Sequence, residues 1–127
     1  MNPVNFLTKE QFCTRSHEWI SFHNTEAFIG ITRHRVAGAK QVKRLEFVRI
    51  FGFKKRGEVF ANIQLNTRRF EVRMPVDGSI ISVNNTNLLV QQQVLLNKPE
   101  TEGWLVKILV SQPCERKGLI PFEEYNS

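Results

Sequence analysis

Between Glu58 and Met74 the chain carries two alternating segments around a polar tip. Val59, Ala61, Ile63 and Leu65 fall on one side of the first segment, the period-two pattern of a half-buried strand. Phe70-Glu71-Val72-Arg73-Met74 alternates as well. Asn66-Thr67-Arg68-Arg69 lies between them, so the pair predicts a β-hairpin with a polar turn. An isolated hairpin is marginal in water and needs further strands to cover its apolar face.

The rest of the chain offers those strands. Trp19-Ile20-Ser21-Phe22 and Ala27-Phe28-Ile29-Gly30-Ile31 flank a turn at His23-Asn24-Thr25-Glu26, which predicts a second hairpin. Leu45 to Ile50 alternates, with Leu45, Phe47 and Arg49 on one face. Ser79 to Val83 and Trp104 to Val110 predict two more strands, the former preceded by the turn Pro75-Val76-Asp77-Gly78. Helix is scarce. Thr32 is placed to cap one short helix before Val42, and the tail from Pro113 to Tyr125 is expected to be helical in part. Many short strands and little helix predict a sandwich or barrel-like β fold. No linker interrupts residues 1–127, so one domain is expected.

The ten phenylalanines lack a polar tip, and most are expected in the core. A net charge of +6 can favour anionic partners. Specific nucleic-acid recognition also wants a stacking platform or a known motif, and neither is evident. Cys13 and Cys114 form no CxxC pair and have no His at metal-ligand spacing, so reduced thiols in a cytoplasmic protein are expected. The start of the chain lacks a signal-peptide pattern, and no apolar run approaches the roughly 20 residues that span a membrane.

Several blocks resemble the H-protein family of the glycine cleavage system. His17-Glu18-Trp19-Ile20 and Ala27-Phe28-Ile29-Gly30-Ile31-Thr32 are similar to its HEW…GIT opening. Pro75-Val76-Asp77-Gly78 is similar to its P-V-S-G turn, and Asn84 follows at the family's spacing. Asn97, Pro99 and Glu102-Gly103-Trp104-Leu105-Val106-Lys107-Ile108 resemble its N…P…EGWL-K-I stretch. The blocks keep their order from about Phe12 to Tyr125. The resemblance implies a mainly β, lipoyl-domain-like barrel-sandwich hybrid. That fold is two small sheets in a flattened barrel, with short peripheral helices.

In that family lipoic acid is joined through an amide to a lysine at a hairpin tip, eight residues before the proline. Counting back from Pro75 reaches Thr67. Gln64, Leu65, Asn66, Thr67, Arg68, Arg69 and Phe70 stand where the family has E-S-V-K-A-A-S, while Glu71, Val72, Pro75, Val76 and Gly78 match. An amide needs a primary amine. Threonine offers a hydroxyl, and arginine stays protonated. No lysine occurs between Lys55 and Lys98. Thr67 is therefore expected to be unmodified, and no cofactor is expected.

Arg68, Arg69 and Arg73 are candidate contacts for an anion or an acidic partner. Together with Lys54, Lys55 and Arg56 they form a basic patch or, in the plainer reading, solvated charge that guards strand edges. His17 reads as structural, His34 as solvent-facing and His23 as a turn residue. No catalytic constellation and no metal site are evident. Trp19 and Trp104 read as core residues near strand ends. Gly30, Gly78 and Gly103 read as turns or close contacts.

The leading expectation is an H-protein-like scaffold that has lost the carrier chemistry. It would act as a binding or regulatory module, not an enzyme, docking onto proteins related to glycine cleavage or lipoate metabolism. A working lipoyl carrier in glycine decarboxylation is the second reading. An anion- or acidic-protein-binding module using the basic hairpin is the third.

Overall fold

The structure, a computed structural model, describes residues 10–48, 51–84 and 93–125. Arg49 and Ile50, the end of the alternating segment that begins at Leu45, lie outside the described residues, as do residues 85–92.

Among the described residues ten strands and three short helices follow in order: β1 (Gln11–Cys13), β2 (Glu18–His23), β3 (Glu26–Ile31), α1 (Arg33–Val36), β4 (Val42–Phe47), β5 (Gly52–Lys54), β6 (Val59–Leu65), β7 (Arg69–Arg73), β8 (Gly78–Val83), α2 (Gln93–Asn97), β9 (Val106–Val110), β10 (Ile120–Pro121) and α3 (Phe122–Tyr125). The chain is mainly β. Two sheets pack face to face without closing into a barrel. One has seven strands in the order β10-β1-β2-β3-β9-β8-β5, and the other has three, β4-β6-β7. Every pairing is antiparallel.

The core lies between the sheets. Ile20 pairs with Ile29, and Ile29 with Val106, along one row of the large sheet. Phe22 pairs with Ala27, and Ala27 with Ile108. Phe60, Ala61, Ile63, Leu65 and Val72 face them from the small sheet, all buried. Val59 stands outside the alternation predicted for this strand because the β6–β7 register shifts between Val59 and Ala61. A bulge re-aims the side chains around it, and Phe60 becomes fully buried.

The outer face of the large sheet carries a second apolar layer of Cys13, Trp19 and Phe28, with Trp104, Phe122 and Tyr125 packed against them. The Trp104 ring meets Phe28 edge-on, their centroids 5.0 Å apart. Trp19 lies across Gly30, its cross-strand partner. A Cβ on Gly30 would sit 2.6 Å from the indole Nε1, so only glycine leaves room for the ring. The indole N–H donates to the Pro99 carbonyl at 2.8 Å, which pins the loop before β9 to β2.

Two expectations need correction. Thr32 precedes α1, but its hydroxyl makes no cap bond; it lies 2.8 Å from the Tyr125 hydroxyl. Glu100 serves α1 instead, accepting the Arg33 N–H at 2.9 Å. Lys54 is not solvated surface charge. It ends β5 and is buried, with its ammonium 4.0 Å from Glu58. The phenylalanines follow expectation in the main: among the described residues all but two are buried or half-buried, the exceptions being Phe51, just before β5, and Phe53, on that edge strand, exposed at 63% and 55%.

Candidate functional site

The β6–β7 hairpin forms as its alternation requires. Gln64 pairs with Arg69 and Ile63 with Phe70, and the Leu65 N–H donates to the Arg68 carbonyl at 2.7 Å. This leaves Asn66 and Thr67 at the tip, and both are exposed.

The tip is fastened to the segment between α1 and β4. The Asn66 side-chain carbonyl accepts from the backbone N–H groups of Lys40 at 2.9 Å and Gln41 at 3.1 Å. The Asn66 N–H returns a bond to the Gln41 carbonyl at 3.0 Å. Arg68 completes the attachment. Its guanidinium donates to the Arg35 carbonyl through Nε and Nη2, to the Ala37 carbonyl at 2.6 Å, and to the Thr67 hydroxyl at 3.2 Å. These carbonyls end α1, where a cation is favoured by the helix's unpaired C=O groups. Arg35 is itself held. Its guanidinium stacks on Phe70 at 4.6 Å and donates to the Ser16 carbonyl.

The basic residues divide between the two ends of the hairpin. Arg68 and Arg69 sit at the tip. Arg73, paired with Val59, sits at the base, where it donates to the Gly57 carbonyl and to Glu71. Arg56 is also at the base, bound to the Lys117 carbonyl at 2.6 Å. One continuous patch of these cations does not form. Among the described residues the side chain of Arg69 makes no hydrogen bond or ion pair.

The hairpin base adjoins a buried carboxylate whose part was not legible in the sequence. Glu18 accepts from the hydroxyls of Thr14 and Ser16, each at 2.5 Å, and from the Arg73 N–H at 3.2 Å. It thereby ties β2 of the large sheet to β7 of the small one. A recess of about 580 Å³ opens beside it, lined in part by Arg15, Arg56, Arg73 and Leu119.

His17 holds the left-handed region at φ 70°. Its Nδ1 lies 2.6 Å from the Tyr125 hydroxyl, and its ring stacks on His34 at 4.0 Å. Burial and the neighbouring His34 and Arg35 push its pKa down. Burial, with Glu100 nearby, pushes the Cys13 thiol up to about 12. Cys13 and Cys114 are both free. Among the described residues no group of three or more His, Cys, Asp or Glu side chains could hold a metal ion.

The tip can be tested against a lipoyl group on its own chemistry. Thr67 offers Oγ1, an alcohol already taking a bond from Arg68, and its neighbours Arg68 and Arg69 are guanidines. None of the three suits an amide-linked arm. The lysine joined to the tip is Lys40, exposed and tied through its backbone to Asn66. That adjacency is spatial, and nothing in the linear sequence signals it.

A family model described as "Glycine cleavage H-protein" matches residues 11–127. The "Glycine cleavage system H protein" of Thermotoga maritima is 34% identical over 113 residues, covering 88% of this chain and 90% of that protein. The "Probable glycine cleavage system H protein" of Aeropyrum pernix is 30% identical over 123 residues, covering 96% and 85%. A mitochondrial glycine cleavage system H protein of Mesembryanthemum crystallinum is 34% identical over 110 residues, covering 87% and 66%. Among solved structures, a glycine cleavage system H protein from Mycobacterium marinum superposes with a TM-score of 0.77 at 21% identity, covering 94% and 95%. That last likeness supports the fold.

Proposed function

The chain belongs to the glycine cleavage H-protein family, and from that premise we propose that it is a non-lipoylated member. It keeps the family scaffold and acts as a binding or regulatory module, not as a carrier. The observation that carries this reading is Thr67 at the exposed end of the β6–β7 hairpin, with no amine in residues 56–97. Its partners are proteins of glycine cleavage or lipoate metabolism. It works in the cytoplasm as a single domain and catalyses no reaction of its own.

A tip that carries no arm can still present a surface. Asn66 and Arg68 hold the turn against the α1–β4 segment, and Arg69 projects a free cation beside it. An acidic patch on a partner matches that charge. Family partners that expect a small, neutral turn after the acceptor would meet two arginines instead, which discriminates between partners.

A second reading has one observation in its favour. If the protein is a lipoyl carrier like the family at large, its acceptor is Lys40, whose backbone is bonded to Asn66 at the tip. One experiment separates the two: intact mass of the protein purified from its own cells, with peptide mapping of residues 34–78. A mass equal to the bare chain is expected. A lipoyl-sized addition on Lys40 would replace the first reading with the second, and an addition elsewhere would sink both.

A further inference from the structure

The outer face of the three-stranded sheet is ordered by charge. Arg44, Gln64 and Arg69 stand in one cross-strand row, because Arg44 pairs with Gln64 and Gln64 with Arg69. Glu46, Asn62 and Glu71 stand in the next row on that face. Two residues along a strand separate the rows, about 7 Å. The six side chains line an open recess of about 330 Å³.

The central strand leaves this recess chemically unfilled. Among the described residues the side chains of Asn62, Gln64 and Arg69 make no hydrogen bond or ion pair. Both amides are half-buried, so donors and acceptors without internal partners floor the recess between a cationic and an anionic row. Arg44 pairs with Glu46, and Glu71 with Arg73. Both pairs are exposed, and such pairs contribute little, so a ligand can compete for either.

The geometry points to a site for a zwitterion whose carboxylate and ammonium are held about 7 Å apart, the chemistry of an ω-amino acid or of a polypeptide's C-terminal lysine. The carboxylate sits on Arg69, Arg44 and the Gln64 amide N–H. The ammonium sits on Glu71, Glu46 and the Asn62 carbonyl. An α-amino acid is too short to reach both rows, and a simple anion leaves the acidic row unmatched. Because the recess is open and polar, affinity is on the order of millimolar. The inference extends the binding-module reading by giving it a ligand, but the site does not depend on whether Thr67 is modified.

The test is an NMR titration of the whole ¹⁵N-labelled chain at low ionic strength with 6-aminohexanoate, hexanoate, hexylamine and glycine. The extended chain of 6-aminohexanoate separates its charges by a comparable distance. The expected result is saturable shifts of the Asn62, Gln64, Arg69 and Glu71 amides with 6-aminohexanoate alone. Arg69→Ala should weaken it about tenfold, and Glu71→Gln should reduce it to the level of hexanoate. Hexanoate binding as tightly as 6-aminohexanoate would overturn the inference, since net charge would then suffice, and so would shifts scattered away from this face. A peptide ending in lysine, compared with its C-terminal amide, separates the sources. Binding of the free-acid peptide that the amide loses assigns the site to chain ends, and binding of 6-aminohexanoate alone assigns it to small molecules. Intact mass tests the loss of the arm separately, so the two readings fail independently.

Discussion

The guanidinium of Arg68 reaches from the hairpin tip to the backbone carbonyl of Arg35, 2.8 Å from Nη2. Two residues thirty-three positions apart are thus joined by a bond from side chain to main chain. Arg68 is engaged inside the molecule, whereas Arg69 beside it is not.

That difference separates the two arginines experimentally. Arg69→Ala should shorten retention on heparin more than Arg68→Ala does, because only Arg69 is free to meet an anion. Arg68→Ala should instead cost about 1 kcal/mol in urea unfolding and speed hydrogen exchange at Gln41 and Asn66. Equal losses on heparin, with no change in exchange, would contradict the assignment.

Thr67→Lys restores an amine at an exposed position, so stability should change by no more than about 0.5 kcal/mol. With a lipoate ligase and lipoate, this variant should stay unmodified by mass, since Arg68 and Arg69 still shape the turn. Combined with Arg68→Ala and Arg69→Ala it should gain a lipoyl group. Modification of the single variant would mean that only the acceptor had been lost.

Gly30→Ala should destabilise the protein by about 2–3 kcal/mol. The new methyl would lie 2.6–2.8 Å from three atoms of the buried Trp19 ring. The ring cannot retreat without losing its bond to the Pro99 carbonyl. Chemical denaturation followed by tryptophan fluorescence measures both the cost and the change in ring environment.

The pH response follows from His17. Its pKa is lowered in the folded chain, first by burial and then by His34 and Arg35. The unfolded chain therefore binds the proton more readily, and stability rises with pH through this window. The contribution is whole above the ordinary value of 6.5 and declines as pH falls from there towards the lowered folded value. His17→Asn tolerates the left-handed backbone and removes the titration. Urea midpoints at pH 5.5 and 7.5 should converge in this variant relative to the parent protein.

Cys13 should resist iodoacetamide at pH 8 in the folded protein, its thiol being buried and its pKa raised to about 12. Cys114, half-buried, should label first. Peptide mapping after brief alkylation, with and without urea, checks the order.

Local pattern carried much of the architecture. The β2–β3 hairpin lies where Trp19–Phe22 and Ala27–Ile31 placed it, lengthened by Glu18, His23 and Glu26. The β6–β7 hairpin and β8 follow their alternation closely. Trp19 is fully buried, as its place in a strand suggested, while Trp104 precedes β9 and is only half-buried. Pattern was blind to contacts made at long range. Lys54 reads as part of a basic run, yet its pairing opposite Gly78 draws it into β5 and buries it. Phe53 is an exception to the expectation for most phenylalanines, because the strand that holds it lies at a sheet edge. The substitution at Thr67 was readable from one residue. The closeness of Lys40 to it depends on a fold in which Asn66 closes over the α1–β4 segment.

That closure has a kinetic meaning. A flexible turn must be frozen when a partner grips it, at about 1–2 kcal/mol per residue. The turn at 66–68 is already immobilised by its bonds to Lys40, Gln41, Arg35 and Ala37. A partner shaped to it meets one conformation rather than selecting among many, and a partner that needs the turn to bend must first break those bonds. The same bonds that spare a fitting partner the cost of ordering make the turn a poor substrate for any enzyme that must reshape it.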